Sequence, residues 1–282
     1  MKIAVTSASG HLGKAIAQKL IKELGKDKVI GIARTPEKAQ DLGIEIRKGD
    51  YNNRADFDDA LEGIDAVLLV SGMDEPSKRI QQHRNVIEAA KHNGVKKIVY
   101  TSIVGDEEKN AFSPVVQSNR QTEKDVQSSG LEWVIGRNGI YIEPDLEYLA
   151  TYIKEGEIRN SAGEGRCAYT SRGELAYAYA KILMEEKHQG QIYNLVGEPI
   201  TQSQLADYIN QIYQTKLIYK AVSIDAYAEE RKKELGAFLG TVIAGIYEGI
   251  NQGANEVNSD YHRAAGRPHR SPQEMIQSFK NA

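Results

Sequence analysis

The residues with chemistry to offer begin at the amino end. Thr6-Ser7-Ala8-Ser9-Gly10-His11-Leu12 follows a short apolar run, Ile3-Ala4-Val5, and leads into a helical repeat of Leu12, Ile16, Ala17 and Leu20. Strand, tight turn and helix in that order leave backbone N–H groups unpaired at a helix N-terminus, and small side chains let an anion approach them. The chemistry is capture of a pyrophosphate. The dinucleotide fingerprint has glycine at three places, whereas this chain reads Ser7-x-x-Gly10-x-x-Gly13. Serine fits the first place if the turn leaves it at negative φ.

Further chemistry follows at the ends of later apolar runs. Arg34 closes Val29-Ile-Gly-Ile-Ala33, where a βαβ site faces the adenosine ribose. A guanidinium grips a 2′-phosphate bidentately and no carboxylate stands there to repel one, so NADP is expected rather than NAD. The alternative is a solvated charge at a strand end. Asp50, after the alternating Ile44-Glu-Ile-Arg-Lys-Gly, either accepts from an adenine amino group or caps the helix from about Ala55 to Leu61. Ser71, Gly72 and Met73 follow Ala66-Val-Leu-Leu-Val70, on the edge where doubly wound sheets bind ligands.

The elements that must position these residues alternate regularly. Strands are expected at 3–5, 29–33, 44–50, 66–70, 98–101 and 133–137, with helices at 12–24, 55–61, 80–92 and 115–128 between them. That order means an α/β fold, a Rossmann-like doubly wound parallel sheet. Residues 1–140 form the NAD(P)-binding domain. Residues 141–282 form a smaller C-terminal substrate lobe, partly interleaved with the first, with helices at 147–154, 172–186 and 201–214 and strands at 192–196 and 217–222. Thr201 and Gln204 read as a capping box. Gly236, Gly240, Gly245, Gly249 and Gly253 lie on a helical pattern that means either close helix approach or a mobile flap.

A sixth strand and a small lobe suggest a short-chain dehydrogenase, whose helix after strand five carries a Tyr-x-x-x-Lys pair for proton transfer. Counting back from Ser129-Gly130 puts Val115 and Asn119 at those two places. Arg120, Glu123 and Lys124 beside them read as a solvated helix face. The segments Ala4–Gly13, Gln82-His-Arg-Asn-Val86, Gln121-Thr-Glu-Lys124, Ser129-Gly130, Arg137-Asn-Gly-Ile-Tyr141 and Tyr193-Asn-Leu-Val196 resemble the NmrA-like atypical short-chain dehydrogenases. Within that family the likeness is to the NADPH-dependent quinone oxidoreductase and triphenylmethane reductase group. It spans nearly the whole length and weakens after about residue 220.

The resemblance implies NADPH held by Ser7 to Leu12 and by Arg34, with the nicotinamide near Ser71 to Met73 and Asn138 and a cleft roofed by the C-terminal lobe. Asn138 and Tyr141 would then line the acceptor pocket or orient the carboxamide; otherwise they are a turn amide and a core aromatic. An electron-poor quinone or dye accepts hydride without a dedicated proton donor, so the expected activity is NADPH-dependent reduction with no catalytic side chain assigned. The competing reading is a non-catalytic NADP(H) sensor of the NmrA type.

Composition bears on partners by exclusion, while the resemblance implies a small-molecule acceptor. Forty per cent hydrophobic residues over 282 positions supply a core, and a net charge of -3 offers no footprint for nucleic acid. Cys167 is the single cysteine, and no Cys/His cluster has metal spacing. No run of 18 apolar residues occurs and the first strand starts at the third residue, so neither membrane span nor leader is expected and a cytoplasmic location is; a homodimer is compatible with all of this.

Overall fold

The computed structural model describes residues 1–281. Its strands are β1 (Ile3–Val5), β2 (Val29–Ala33), β3 (Glu45–Lys48), β4 (Ala66–Val70), β5 (Lys97–Ile103), β6 (Glu132–Asn138), β7 (Glu157–Asn160), β8 (Arg166–Ala168), β9 (Gln191–Leu195), β10 (Pro199–Thr201) and β11 (Ile218–Ala221). The helices of the first half are α1 (His11–Leu24), α2 (Arg54–Ala60), α3 (Pro76–His92) and α4 (Ser113–Gln127). After them come α5 (Glu143–Glu147), α6 (Leu149–Glu155), α7 (Arg172–Met184), α8 (Gln202–Tyr213), α9 (Ile224–Leu235), α10 (Ala237–Asn251), α11 (Tyr261–Ala265) and α12 (Pro272–Lys280).

Seven strands form one sheet in the order β3-β2-β1-β4-β5-β6-β9. Every neighbouring pair in it is parallel. Successive side chains of a strand face opposite sides, so Ile3 and Val5 pack under α1 and α7 while Ala4 packs with residues of α2, α3 and α4. Both faces are covered, which is why β1, β2 and β4 are buried along their length.

The second half is not a separate body. Its α7 and β9 return to the sheet, and Tyr261, Ala264 and Ala265 of α11 join the same apolar layer as α1. Glu174 at the start of α7 receives Arg267 in two hydrogen bonds of 2.8 and 2.7 Å, and its carbonyl accepts from the Tyr261 hydroxyl at 2.9 Å. A third apolar cluster, with Ile158, Tyr169, Leu205, Ile250 and Ile276, is the lobe's own core.

Some boundaries differ from the sequence reading. Helices α3 and α4 begin earlier than expected because Pro76 and Pro114 sit in their first turns, where the missing N–H costs nothing. The helix expected at 147–154 is α6, starting at Leu149, and a separate short helix, α5, precedes it across Tyr148. The capping box is present: Gln204 N donates to Thr201 Oγ1 at 3.2 Å and Thr201 N to Gln204 Oε1 at 2.9 Å. Glycine in α10 serves close approach: a Cβ on Gly240 would lie 2.5 Å from Lys232 N of α9, and one on Gly245 would lie 2.3 Å from Phe112 N. Glu248 then accepts from Ala111 N at 2.9 Å, tying α10 to the loop after β5.

Candidate active site

Thr6, Arg34, Asp50, Ser71 and Asn138 all stand at or just beyond the carboxyl ends of their strands, so one sheet edge gathers them. At the first turn the backbone departs from expectation. Ser7 has φ 52, in the left-handed region that glycine adopts freely, not the negative φ expected of a serine there. A network fixes it: Tyr51 Oη donates to Val70 O at 2.5 Å, so its oxygen accepts from Thr6 Oγ1 at 2.7 Å and Ser7 Oγ at 3.1 Å. Thr6 Oγ1 in turn accepts from Val70 N at 2.9 Å. Burial pushes the Tyr51 phenol up to about 12, which keeps this proton in place.

The loop offers backbone more than side chains. Thr6, Ala8 and Leu12 point inward, Ser7 is half-buried, and Ser9, Gly10 and His11 are exposed. No side chain caps α1, so its first N–H groups are free to meet an anion. The two glycines do different jobs. A Cβ on Gly10 would meet only Ser7 O, at 3.3 Å, whereas one on Gly13 would lie 2.3 Å from that oxygen. Gly13 lets the helix pack on its own turn.

Arg34 is exposed and has no protein partner among the described residues, with exposed Lys38 in the turn Pro36–Leu42 beside it. Asp50 does not cap α2; Asn53 does, accepting from Ala55 N at 3.2 Å. Asp50 instead closes an Asx turn, its Oδ1 accepting from Asn52 N at 2.9 Å.

Beyond β4, Gly72 N donates to His83 Nε2 at 3.0 Å, which leaves the His83 proton on Nδ1, donated to Thr122 Oγ1 at 2.8 Å. Burial, with the Arg79 charge adding to it, lowers the imidazole to about 3. It is neutral and structural. Met73 is 83% exposed and Ser71 half-buried. The Ser71 hydroxyl meets Tyr100 Oη at 2.8 Å and Arg79 Nη2 at 3.1 Å.

Val115 is half-buried and Asn119 buried on α4. The expected solvated face is corrected in two of its three residues: Arg120 and Glu123 are buried, and only Lys124 is exposed. Glu123 accepts from Arg120 Nη1 at 2.7 Å, Arg137 Nη2 at 2.6 Å and Ser102 Oγ at 2.5 Å, and these donors hold its carboxyl below the usual range despite burial. Asn138 is buried with its amide engaged: Oδ1 accepts from Tyr179 Oη at 2.6 Å and Nδ2 donates to Tyr141 Oη at 3.1 Å. Tyr141 thus accepts from Asn138 and keeps its own proton for another acceptor. Burial raises that phenol to about 12, so the hydroxyl is a hydrogen-bond donor and a poor acid.

Sequence reasoning missed Tyr51, Arg79 and Tyr100. Arg79 had a signal: with Gln82, His83, Val86 and Ile87 it forms the buried stripe of α3. A separate recess of about 440 Å³, bordered by residues 196–199, 256–259, His262 and His269, contains none of the expected residues. Among the described residues no helix is long and apolar enough to cross a membrane, and no cluster fit to hold a metal occurs.

A parallel sheet with a capless helix at its first turn and a partnerless arginine at its second strand defines a Rossmann-type dinucleotide-binding protein. Residues 7–186 match the NAD(P)H-binding family model. The chain is 35% identical over 236 residues to quinone oxidoreductase 2 of Escherichia coli, covering 82% of this chain and 81% of that one. An NmrA-like family domain-containing oxidoreductase of Aspergillus flavus is 29% identical, over 86% and 83% of the two chains. Among solved structures, an NADPH-dependent quinone oxidoreductase of Escherichia coli complexed with NADPH superposes with a TM-score of 0.90 at 31% identity, over 99% and 100% of the chains. Triphenylmethane reductase of Citrobacter sp. gives 0.91 at 30%, over the whole of both. The chain belongs to the NAD(P)H-binding, NmrA-like oxidoreductase family.

Proposed function

We propose that this protein is an NADPH-dependent reductase that passes hydride to an electron-poor small molecule, a quinone or a dye, without a Tyr/Lys dyad. The observation that carries the reading is the pairing, on one sheet edge, of the capless N-terminus of α1 with the partnerless guanidinium of Arg34. The first receives a pyrophosphate and the second a 2′-phosphate. Thr6 to Leu12 cradle the diphosphate through backbone N–H groups, and the Asp50 turn borders the adenine.

NADPH, when bound, supplies the hydride. Ser71, Gly72 and Met73 border its nicotinamide end, and Asn138 acts there by holding the Tyr141 hydroxyl toward the cleft. Tyr141 orients the acceptor oxygen by hydrogen bonding, and the proton that completes reduction comes from water, consistent with Val115 and Asn119 at the dyad positions. NADPH oxidation against a panel of quinones and triphenylmethane dyes tests the reading. Tight NADPH binding with every acceptor left unreduced overturns it in favour of a sensor.

A further inference from the structure

Arg79 reaches from α3 to the end of β4 with only 3% of its surface exposed. Its Nη1 donates to Ser118 Oγ at 3.0 Å and its Nη2 to Ser71 Oγ at 3.1 Å and to Asn119 Oδ1, while Nε has no partner among the described residues. None of these is a carboxylate. A buried guanidinium is ordinarily paired, because desolvating a lone charge is costly. The neighbours do not neutralise it either. His83 is neutral, Tyr100 keeps its proton, and the buried carboxylate of Glu123 already faces both Arg120 and Arg137. Arg120 and Arg137 share Glu123, and Arg120 also meets the exposed Glu107 at 3.7 Å, so Arg79 is the guanidinium behind the ends of β4, β5 and β6 that faces no carboxylate.

The nicotinamide ring of NADPH is neutral and that of NADP⁺ carries a positive charge. We propose that Arg79, held at Ser71, is a specificity-determining residue that makes this site bind the reduced cofactor in preference to the oxidised one. This rests on the placement of the nicotinamide end beside Ser71 to Met73 under Proposed function. A fixed cation next to the ring repels the oxidised form and leaves the reduced form untouched. Spent cofactor then leaves readily and fresh NADPH displaces it.

Dissociation constants for NADPH and NADP⁺, measured by calorimetric titration at one low salt concentration, test this. Wild type should favour NADPH by at least about tenfold, the effect expected of one charge several ångströms away in a partly buried site. Arg79→Met should bring the ratio to within about threefold of unity, and Arg79→Lys should keep the preference. Asn119→Asp keeps Arg79 but gives it a carboxylate, so it too should lower the ratio, which serves if Arg79→Met does not fold. A wild-type ratio near one, or a ratio unmoved in the folded variants, overturns the proposal. Wild type that binds neither form overturns the nucleotide placement beneath it as well.

Discussion

Tyr51 Oη sits 3.1 Å from Ser7 Oγ, and that contact fastens a serine at φ 52. The left-handed conformation costs a side-chain-bearing residue about 1–2 kcal/mol, and the phenol offsets it by joining the turn to Val70 of the next strand. Tyr51→Phe strips Thr6, Ser7 and Val70 of a shared partner at once. Urea unfolding should show a loss of about 1–3 kcal/mol, and fluorescence titration a weaker grip on NADPH. Unchanged values for both would mean that the turn holds itself.

The two glycines of the turn should separate binding from stability. Gly10→Val leaves the fold intact and abolishes NADPH binding, because its Cβ stands clear of all but Ser7 O and fills the diphosphate's space. Gly13→Ala presses a methyl on backbone atoms that cannot step aside, and should cost about 1–3 kcal/mol in the same unfolding experiment. A folded Gly10→Val protein with undiminished affinity contradicts the cradle.

Under the proposed function, cofactor choice depends on Arg34. A charge-assisted contact to phosphate is worth about 1.5–3 kcal/mol, so NADPH should bind roughly 10- to 150-fold more tightly than NADH. Arg34→Asp adds repulsion to that loss and should weaken NADPH by more than about 100-fold, while a carboxylate there favours the free ribose of NADH. Dissociation constants for the two cofactors at low salt decide the matter. An unmoved ratio removes Arg34 from the site.

His83 gives the fold a pH dependence of known sign. Its native value of about 3 lies below the ordinary 6.5, so the unfolded chain takes a proton that the native chain refuses. The stabilisation is complete above about pH 6.5 and is lost as pH falls from there toward 3, at up to about 1.4 kcal/mol per pH unit for one proton. Buried His188 and half-buried His269 act in the same direction. His83→Gln should therefore show a shallower fall in melting temperature between pH 6.5 and 4.5 than wild type does.

The first half was legible because each strand buried on both faces is an unbroken apolar run and each helix repeats at its own period, as Ala66–Val70 and Leu12 to Leu20 show. The places of the first turn and of Arg34 at their strand ends were legible because local order sets them. What escaped depends on partners distant in the chain. Arg120 and Glu123 looked solvated since Arg137 and Ser102, which neutralise and desolvate Glu123, come from other strands. The positive φ of Ser7 was not legible because the phenol that holds it lies 44 residues away. Strands β7, β8 and β10 have three or four residues each, too short for a period to register.

The return of α11 and Arg267 to α7 has a consequence for synthesis. The apolar layer over α1 and α7 includes Tyr261, Ala264 and Ala265, and Glu174 waits with a nearly buried carboxylate for Arg267. On the ribosome the amino-terminal strands and helices emerge early, yet that layer stays incomplete until residues 261–267 have left the exit tunnel. An apolar patch exposed for so long is where a chaperone would hold the nascent chain, and a premature stop before residue 261 would leave α1 and α7 on the sheet but α7 without its α11 cover.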